Sequence, residues 1–196
     1  LAPGVLRAAD VAQHRPGLRG EAGLGHHEVS AQVDDVVDML DRPIALDDLP
    51  AAFDRRIADG YIFGDFQFSV DERSDDFLRK GVFSCYRPVG PDTPMPAVQR
   101  ELVDEDWHAL LLLAHNNKST AFDQYAKYYL STSGQIYWSD THQLSTYLDD
   151  YHVRLDKQLG ATERATEMIT EIYVPRPDLP SFMAEVAKTF RTNGVP

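Results

Sequence analysis

The sequence has one cysteine, few basic residues and no long apolar run. Cys85 cannot form a disulfide within the chain, and a lone cysteine in a strand-like stretch is typically a small buried apolar side chain, which favours a reducing, cytoplasmic setting. Lys and Arg total 19 against 31 Asp and Glu, so a formal net charge of -12 repels phosphate backbones and anionic lipid surfaces. The longest strongly apolar run, Leu110–Ala114, is far shorter than the roughly 20 residues of a membrane-spanning helix. We therefore expect neither nucleic acid nor membrane as a partner.

Motifs for binding a dinucleotide or a metal ion are also missing. There is no Gly-x-Gly-x-x-Gly at a strand-to-helix turn and no Gly-Lys-Ser/Thr loop, so no cofactor-binding residue can be assigned. The 7 histidines lack a cysteine partner or a His-Glu-x-x-His pattern, and we predict no metal site. Ser139, Asp140 and His142 resemble triad members, but neighbours in sequence rarely converge in space, and a helix-capping turn is the commoner interpretation.

The two parts of the chain differ in composition. Residues 1–28 are rich in Gly and Arg without apolar periodicity, which predicts a poorly ordered leader, whereas residues 29–196 carry enough apolar residues for one domain. The stretch Val29–Leu40 fits a helix or a strand equally well. Because the chain begins at Leu1 instead of a methionine, we expect a fragment of a longer protein.

The middle of the domain predicts a helix followed by a hairpin. Asp47 or Asp48 can cap a helix that contains Pro50 in its first turn and stops at Gly60. Two strands are then predicted, over Tyr61–Val70 and Gly81–Arg87, with a polar turn between them.

The second half of the domain is predominantly helical. Apolar periodicity predicts three helices, which include Leu110, Phe122 and Leu155; a strand over Glu167–Val174 and a last helix from Asp178 follow. No strand follows that helix, so we expect a sheet truncated at the C-terminal end. The resulting fold class is α+β: an antiparallel sheet of three to four strands with helices mainly on one face, an incomplete ferredoxin-like cap of split β-α-β type.

The predicted strands have two chemically different sides. Alternation places Asp65 and Gln67 on one side of the first hairpin strand, and Glu171 and Tyr173 on one side of the last strand. Such a face could line a polar substrate cavity, and Gln143 lies in a stretch that mixes aromatic and hydrogen-bonding residues in a similar way. A solvated face of an antiparallel sheet would show the same alternation, so both interpretations stay open.

Four segments resemble bacterial FAD-linked oxidases of the vanillyl-alcohol-oxidase type, which have a PCMH FAD domain. The segments are Asp59–Phe68 (DGYIFGDFQF), Arg79–Pro88 (RKGVFSCYRP), Ile136–Leu148 (IYWSDTHQLSTYL) and Glu167–Pro175 (EMITEIYVP). The resemblance runs from about Leu46 to Pro196, the part that in such enzymes forms a cap over the flavin ring.

The resemblance implies a substrate (cap) domain of an FAD-dependent oxidoreductase. The substrate would be a small molecule with a hydroxyl or an amine, and the FAD would be bound mainly by a domain that these residues do not include. Glu171 would act near the reacting carbon as the catalytic carboxylate, while Asp65, Gln67, Gln143 and Tyr173 would position the substrate.

Two other functions remain open from the sequence. A stand-alone small-molecule binding or interaction domain would need no cofactor motif. A subunit whose unpaired sheet edge is completed by another chain would also explain a missing strand.

Overall fold

A computed structural model describes residues 6–11, 29–34, 46–90, 92–138, 148, 150–163 and 170–195. These residues form five strands and five α-helices. The strands are β1 (Leu6–Val11), β2 (Val29–Asp34), β3 (Phe63–Phe68), β4 (Gly81–Pro88) and β5 (Ile136–Trp138). The helices are α1 (Leu49–Ala58), α2 (Asp104–Asn116), α3 (Lys118–Ser131), α4 (Tyr151–Leu159) and α5 (Leu179–Asn193).

The strands form one antiparallel sheet in the order β1-β3-β4-β2-β5. At its centre is the hairpin of β3 and β4, in which Asp65 lies opposite Ser84 and Gln67 lies opposite Val82. Strand β1 pairs with β3 on one side, and β2 pairs with β4 on the other. Strand β1 therefore lies within the stretch 1–28, although the sequence there lacks apolar periodicity.

Helices cover both faces of the central hairpin. Because side chains alternate along a strand, Phe83 and Cys85 lie on the face opposite Ser84 and Tyr86. The ring of Phe53 in α1 packs edge-on against Phe83, with 4.8 Å between ring centroids, so α1 covers the Phe83 face.

The other face of the hairpin meets helix α3. The hydroxyls of Tyr86 and Tyr129 lie 2.6 Å apart and join β4 to α3. Burial of every residue from Gly81 to Cys85 agrees with a sheet that is covered on both sides. The prediction of helices mainly on one face is therefore wrong for this hairpin, because the polar alternation of its strands does not mark a solvated side.

The apolar core lies chiefly between the hairpin, α1 and α5. The hairpin contributes Phe66, Phe68 and Phe83 to this core. Helix α1 contributes Leu49 and Phe53, and α5 contributes Met183. Arg176, which precedes α5, forms an ion pair with Asp54 of α1. The start of α5 is thereby fixed to α1 across the surface of the core.

Several predicted elements are confirmed and one is wrong. Helix α1, the β3–β4 hairpin and the last helix occur where they were predicted, and Gly194 ends α5 in the left-handed conformation with φ 60. The ambiguous stretch after Val29 contains a strand. Of the strand predicted over Glu167–Val174, residues 170–174 are described, and they lie outside helices and strands. The mixed helix-and-strand class with an antiparallel sheet is confirmed, although the sheet has five strands instead of three or four.

Among the described residues, every helix falls short of the length and apolar character that a membrane crossing requires.

Candidate functional site

A row of polar side chains runs across the hairpin face that lies toward α3. Asp65 and Gln67 come from β3, and Ser84 and Tyr86 come from β4. Gln67 is 1% exposed and Ser84 is 0% exposed, so these groups are withdrawn from solvent. A polar group loses hydration when it is buried, which costs free energy unless the protein or a ligand supplies hydrogen bonds. We call Asp65, Gln67, Ser84, Tyr86 and Tyr129 the polar cluster.

Tyr129 closes the polar cluster from the helix side. Its hydroxyl lies 2.6 Å from that of Tyr86, and it also takes part in a hydrogen bond with the side chain of Ser84. Burial raises the pKa of Tyr129, and the nearby charge of Asp65 raises it further. Tyr129 therefore keeps its proton throughout the physiological pH range and presents a neutral hydroxyl to the cluster.

Gln67 supplies the side-chain amide of the cluster and is fully buried. Its Nε2 donates to Oδ2 of Asp65 over 3.4 Å, a long hydrogen bond that fixes which end of the amide faces the carboxylate. Its Oε1 is buried and has no hydrogen-bond partner. An acceptor of this kind costs about 1–3 kcal/mol of stability if nothing donates to it. The arrangement can accept a hydrogen bond from a bound molecule.

Two polar contacts hold helix α3 over the cluster. The Ser119 hydroxyl donates to Oδ2 of Asp71 over 2.5 Å, and Lys118 Nζ lies 2.9 Å from Oε2 of Glu72. Both acidic residues belong to the connection between β3 and β4, so the first turn of α3 is fixed to the hairpin. The hydrogen bond from Ser119 lowers the pKa of Asp71, and the one from Lys118 lowers the pKa of Glu72. The Asn117 side chain caps the helix by accepting from Thr120 N.

The structure brings together some of the predicted site residues. Asp65 and Gln67 are hydrogen-bonded neighbours, as alternation predicted. The Tyr173 hydroxyl donates to Oε2 of Glu171 over 2.9 Å, but both residues are exposed and lie in a segment without regular secondary structure. The prediction that strand alternation aligns Glu171 with the polar face of the sheet is therefore wrong for the described segment. Gln143 lies outside the described residues.

Sequence reasoning did not single out Ser84 or Tyr129 as members of the cluster. Ser84 joins the cluster because the strand register places it directly opposite Asp65. That register depends on the length of the turn, which sequence patterns did not determine. The periodicity that predicts the helix containing Phe122 also places Tyr129 on the apolar face of that helix, where its hydroxyl contacts Tyr86. A tyrosine on a predicted apolar helix face was the available signal, because a buried hydroxyl usually needs a hydrogen-bond partner.

The sequence raised two other kinds of chemistry, a metal site and a catalytic triad. Within the described part of the chain, no three His, Cys, Asp or Glu side chains come together as a possible metal site. Ser139, Asp140 and His142 lie outside the described residues. Cys85 is a buried free cysteine on the apolar face of the hairpin.

The described helices do not fit the phosphates of FAD. A helix N-terminus can bind phosphate through its free N–H groups, but acidic residues there repel the anion. Asp48, Asp150 and Asp178 immediately precede α1, α4 and α5, respectively. Asp104, Glu105 and Asp106 lie in the first turn of α2. The remaining helix, α3, is capped by Asn117. We therefore derive no step through a flavin from these residues.

The sequence matches no known family model, and comparisons with curated proteins and with solved structures likewise found no match.

Proposed function

We propose that this chain is the substrate domain of an FAD-dependent oxidoreductase that acts on a small molecule with a hydroxyl or an amine. The resemblance of four segments to FAD-linked oxidases of the vanillyl-alcohol-oxidase type motivates the proposal. The polar cluster supports it most directly, because it brings together a carboxylate, an amide oxygen and tyrosine hydroxyls between the sheet and α3. Groups of these kinds recognise hydroxyls and amines by hydrogen bonding.

The sheet topology supports a ferredoxin-like cap. Strand β4 lies between β2 and β3 and is antiparallel to both, so an antiparallel strand splits the β2-α1-β3 unit. A unit split in this way supports the proposal, because ferredoxin-like sheets are built from split β-α-β units. The position of α3 on the face opposite α1 is a departure from helices on one side, and it covers the polar face of the hairpin.

The proposed reaction oxidises a carbon that bears a hydroxyl or an amine. FAD held by other polypeptide would supply the hydride acceptor for this oxidation, and loss of a proton from the hydroxyl or amine would leave a C=O or C=N bond. In this proposal the cluster residues Asp65 and Gln67 position the substrate, with Gln143 and Tyr173 as further contacts. Glu171 is the proposed proton acceptor on the strength of the family resemblance, and the Tyr173 hydroxyl donates to its Oε2 over 2.9 Å.

The flavin itself is assigned to other polypeptide. The acidic and capped helix N-termini described above favour this placement. They equally favour a second candidate function, a stand-alone domain that binds a small molecule without catalysis. Buried Cys85 is consistent with the reducing, cytoplasmic location proposed for either function.

The two functions differ in one spectroscopic property. We propose expression of the complete reading frame that encodes these 196 residues, followed by a visible absorption spectrum of the purified protein. The oxidoreductase function predicts bound flavin whose colour is bleached when benzyl alcohol or benzylamine is added without oxygen. A folded product that carries no flavin, and that binds none when FAD is added, would contradict that function and favour the binding domain.

A further inference from the structure

The polar cluster has the composition of a binding site for a cation that donates hydrogen bonds. Gln67 Oε1 is buried without a hydrogen-bond partner, and Gln67 as a whole is 1% exposed. The carboxylate of Asp65 is close enough to accept from Gln67 Nε2 over 3.4 Å and to raise the pKa of Tyr129. The site thus combines a neutral acceptor and an anionic acceptor on successive side chains of one strand face.

Aromatic rings border the same site. The ring centroids of Tyr125 and Tyr129 lie 5.6 Å apart, and Tyr125 is in turn 6.3 Å from Trp107. The face of an aromatic ring attracts a cation through its quadrupole, and this attraction strengthens where water is excluded. The net charge of -12 adds a long-range field that concentrates cations and disfavours anions near the protein.

We propose that the polar cluster binds the protonated amine of a small molecule, with Gln67 Oε1 and Asp65 as its two acceptors. A primary ammonium group has three donors and no acceptor, which matches an amide oxygen and a carboxylate better than a hydroxyl does. Asp65 is only partly buried whereas Gln67 is fully buried, so the ligand approaches past Asp65. The inference rests on the proposed function only for the role of this amine as a substrate; binding itself needs no flavin.

The test measures binding of two probes of similar shape to the 196-residue chain without flavin. Benzylamine is protonated at neutral pH, and benzyl alcohol is neutral. Calorimetric titration is expected to show saturable binding of benzylamine, with benzyl alcohol bound at least about tenfold more weakly because a charge-assisted hydrogen bond is lost. Absence of saturable benzylamine binding, or equal affinity for the two probes, would overturn the inference.

Substitutions identify the site within the chain. Gln67→Leu is expected to weaken benzylamine binding by at least about tenfold. Asp65→Asn is expected to abolish the preference for the amine over the alcohol. Gln124→Leu is the matched control, since Gln124 is exposed on α3, and it should bind as the parent does. If circular dichroism shows that Gln67→Leu does not fold, Gln67→Met replaces it.

The outcomes separate this inference from the oxidoreductase function. Two results would overturn the amine site even if the complete protein carries flavin. One is an unchanged benzylamine affinity in the folded Gln67 variant. The other is a crystal structure, with benzylamine present, in which only an ordered water contacts Gln67 Oε1. Conversely, amine binding that depends on Gln67 stands even if the complete protein carries none.

Discussion

Gln67 contributes little to stability through its polar atoms, since Oε1 has no hydrogen bond and Nε2 makes only a long one of 3.4 Å. Replacement by Leu, which has a similar volume, removes the cost of burying the amide. We therefore predict that Gln67→Leu raises the free energy of unfolding by about 1 kcal/mol. Urea denaturation measures this, with Gln124→Leu as the control. A loss of several kcal/mol would indicate a structural role for the amide.

Tyr129 should make folding sensitive to high pH. Its pKa is raised in the folded state, so above about pH 10 an unfolded chain releases this proton first and is stabilised relative to the folded one. The free energy of unfolding should fall as the pH rises from about 9 to about 11, by at most about 1.4 kcal/mol per pH unit from this group. Below that range the contribution is constant.

Tyr129→Phe tests this account. At neutral pH the loss of the hydrogen bond to Tyr86 should cost about 1–2 kcal/mol, and the alkaline decline should become shallower than in the parent. Tyr173→Phe is the control, because that side chain is 88% exposed and should have little effect on stability. Equal alkaline profiles for the parent and Tyr129→Phe would contradict the buried, neutral hydroxyl.

At the residue scale the sequence allowed two of the five cluster residues to be predicted. Strand alternation is a local property, and it correctly placed Asp65 beside Gln67. The contact between Tyr86 and Tyr129 spans 43 positions and depends on how α3 crosses the sheet. Periodicity does not encode that crossing, so the closure of the site could not be predicted.

At the element scale, Asp71 and Ser119 hold the hairpin connection against the first turn of α3. Their hydrogen bond spans 2.5 Å, and Asp71 is 7% exposed. We predict a coupling energy of about 1–2 kcal/mol in a double-mutant cycle of Asp71→Ala and Ser119→Ala, measured by urea denaturation. Because the pKa of Asp71 is lowered in the folded state, this stabilisation is present above its unfolded pKa and is lost on acidification. Additive effects of the two substitutions at neutral pH would show that the contact is not energetically important.

The pairing of β3 with β4 leaves no room for a side chain at Gly81. A Cβ there would lie 2.4 Å from the backbone oxygen of Gln67 and 2.5 Å from Cε1 of Phe66. Gly81→Ala should therefore destabilise the protein by about 2 kcal/mol or more, as measured by urea denaturation. Gly90→Ala is the matched control, since its Cβ would meet nothing closer than Thr93 Oγ1 at 3.7 Å. Similar stabilities for the two variants would contradict this strand register.

Elements with strong local signals were the ones that the sequence predicted well. Helix α1 has a proline in its first turn and Leu49 and Phe53 on one face, and α5 ends at Gly194, so short-range rules sufficed for both. Residues 170–174 carry β-branched and aromatic side chains typical of a strand, but Ile172 and Tyr173 are exposed and no strand forms there. Strand formation needs a pairing partner as well as propensity, and the sequence pattern reports only the propensity.

At the scale of the whole molecule, the hairpin is covered on both faces and only one of those faces is apolar. The apolar face packs against α1 and stabilises the fold, whereas the polar face meets α3 and carries a buried amide with an unused acceptor. Proteins accept lost stability of this kind at functional sites. The acidic net charge and the bordering tyrosines determine which ligand fits: a small cation that donates hydrogen bonds.

Nuclear magnetic resonance of the side-chain amide of Gln67 would test the central claim most directly. The resonances of its NH₂ group can be assigned by comparing the ¹⁵N-labelled chain with Gln67→Leu. We predict that addition of benzylamine shifts these resonances saturably, while the amide of exposed Gln124 stays in place. Shifts confined to exposed amides, or an unchanged Gln67 resonance at saturating benzylamine, would contradict a ligand site beneath α3.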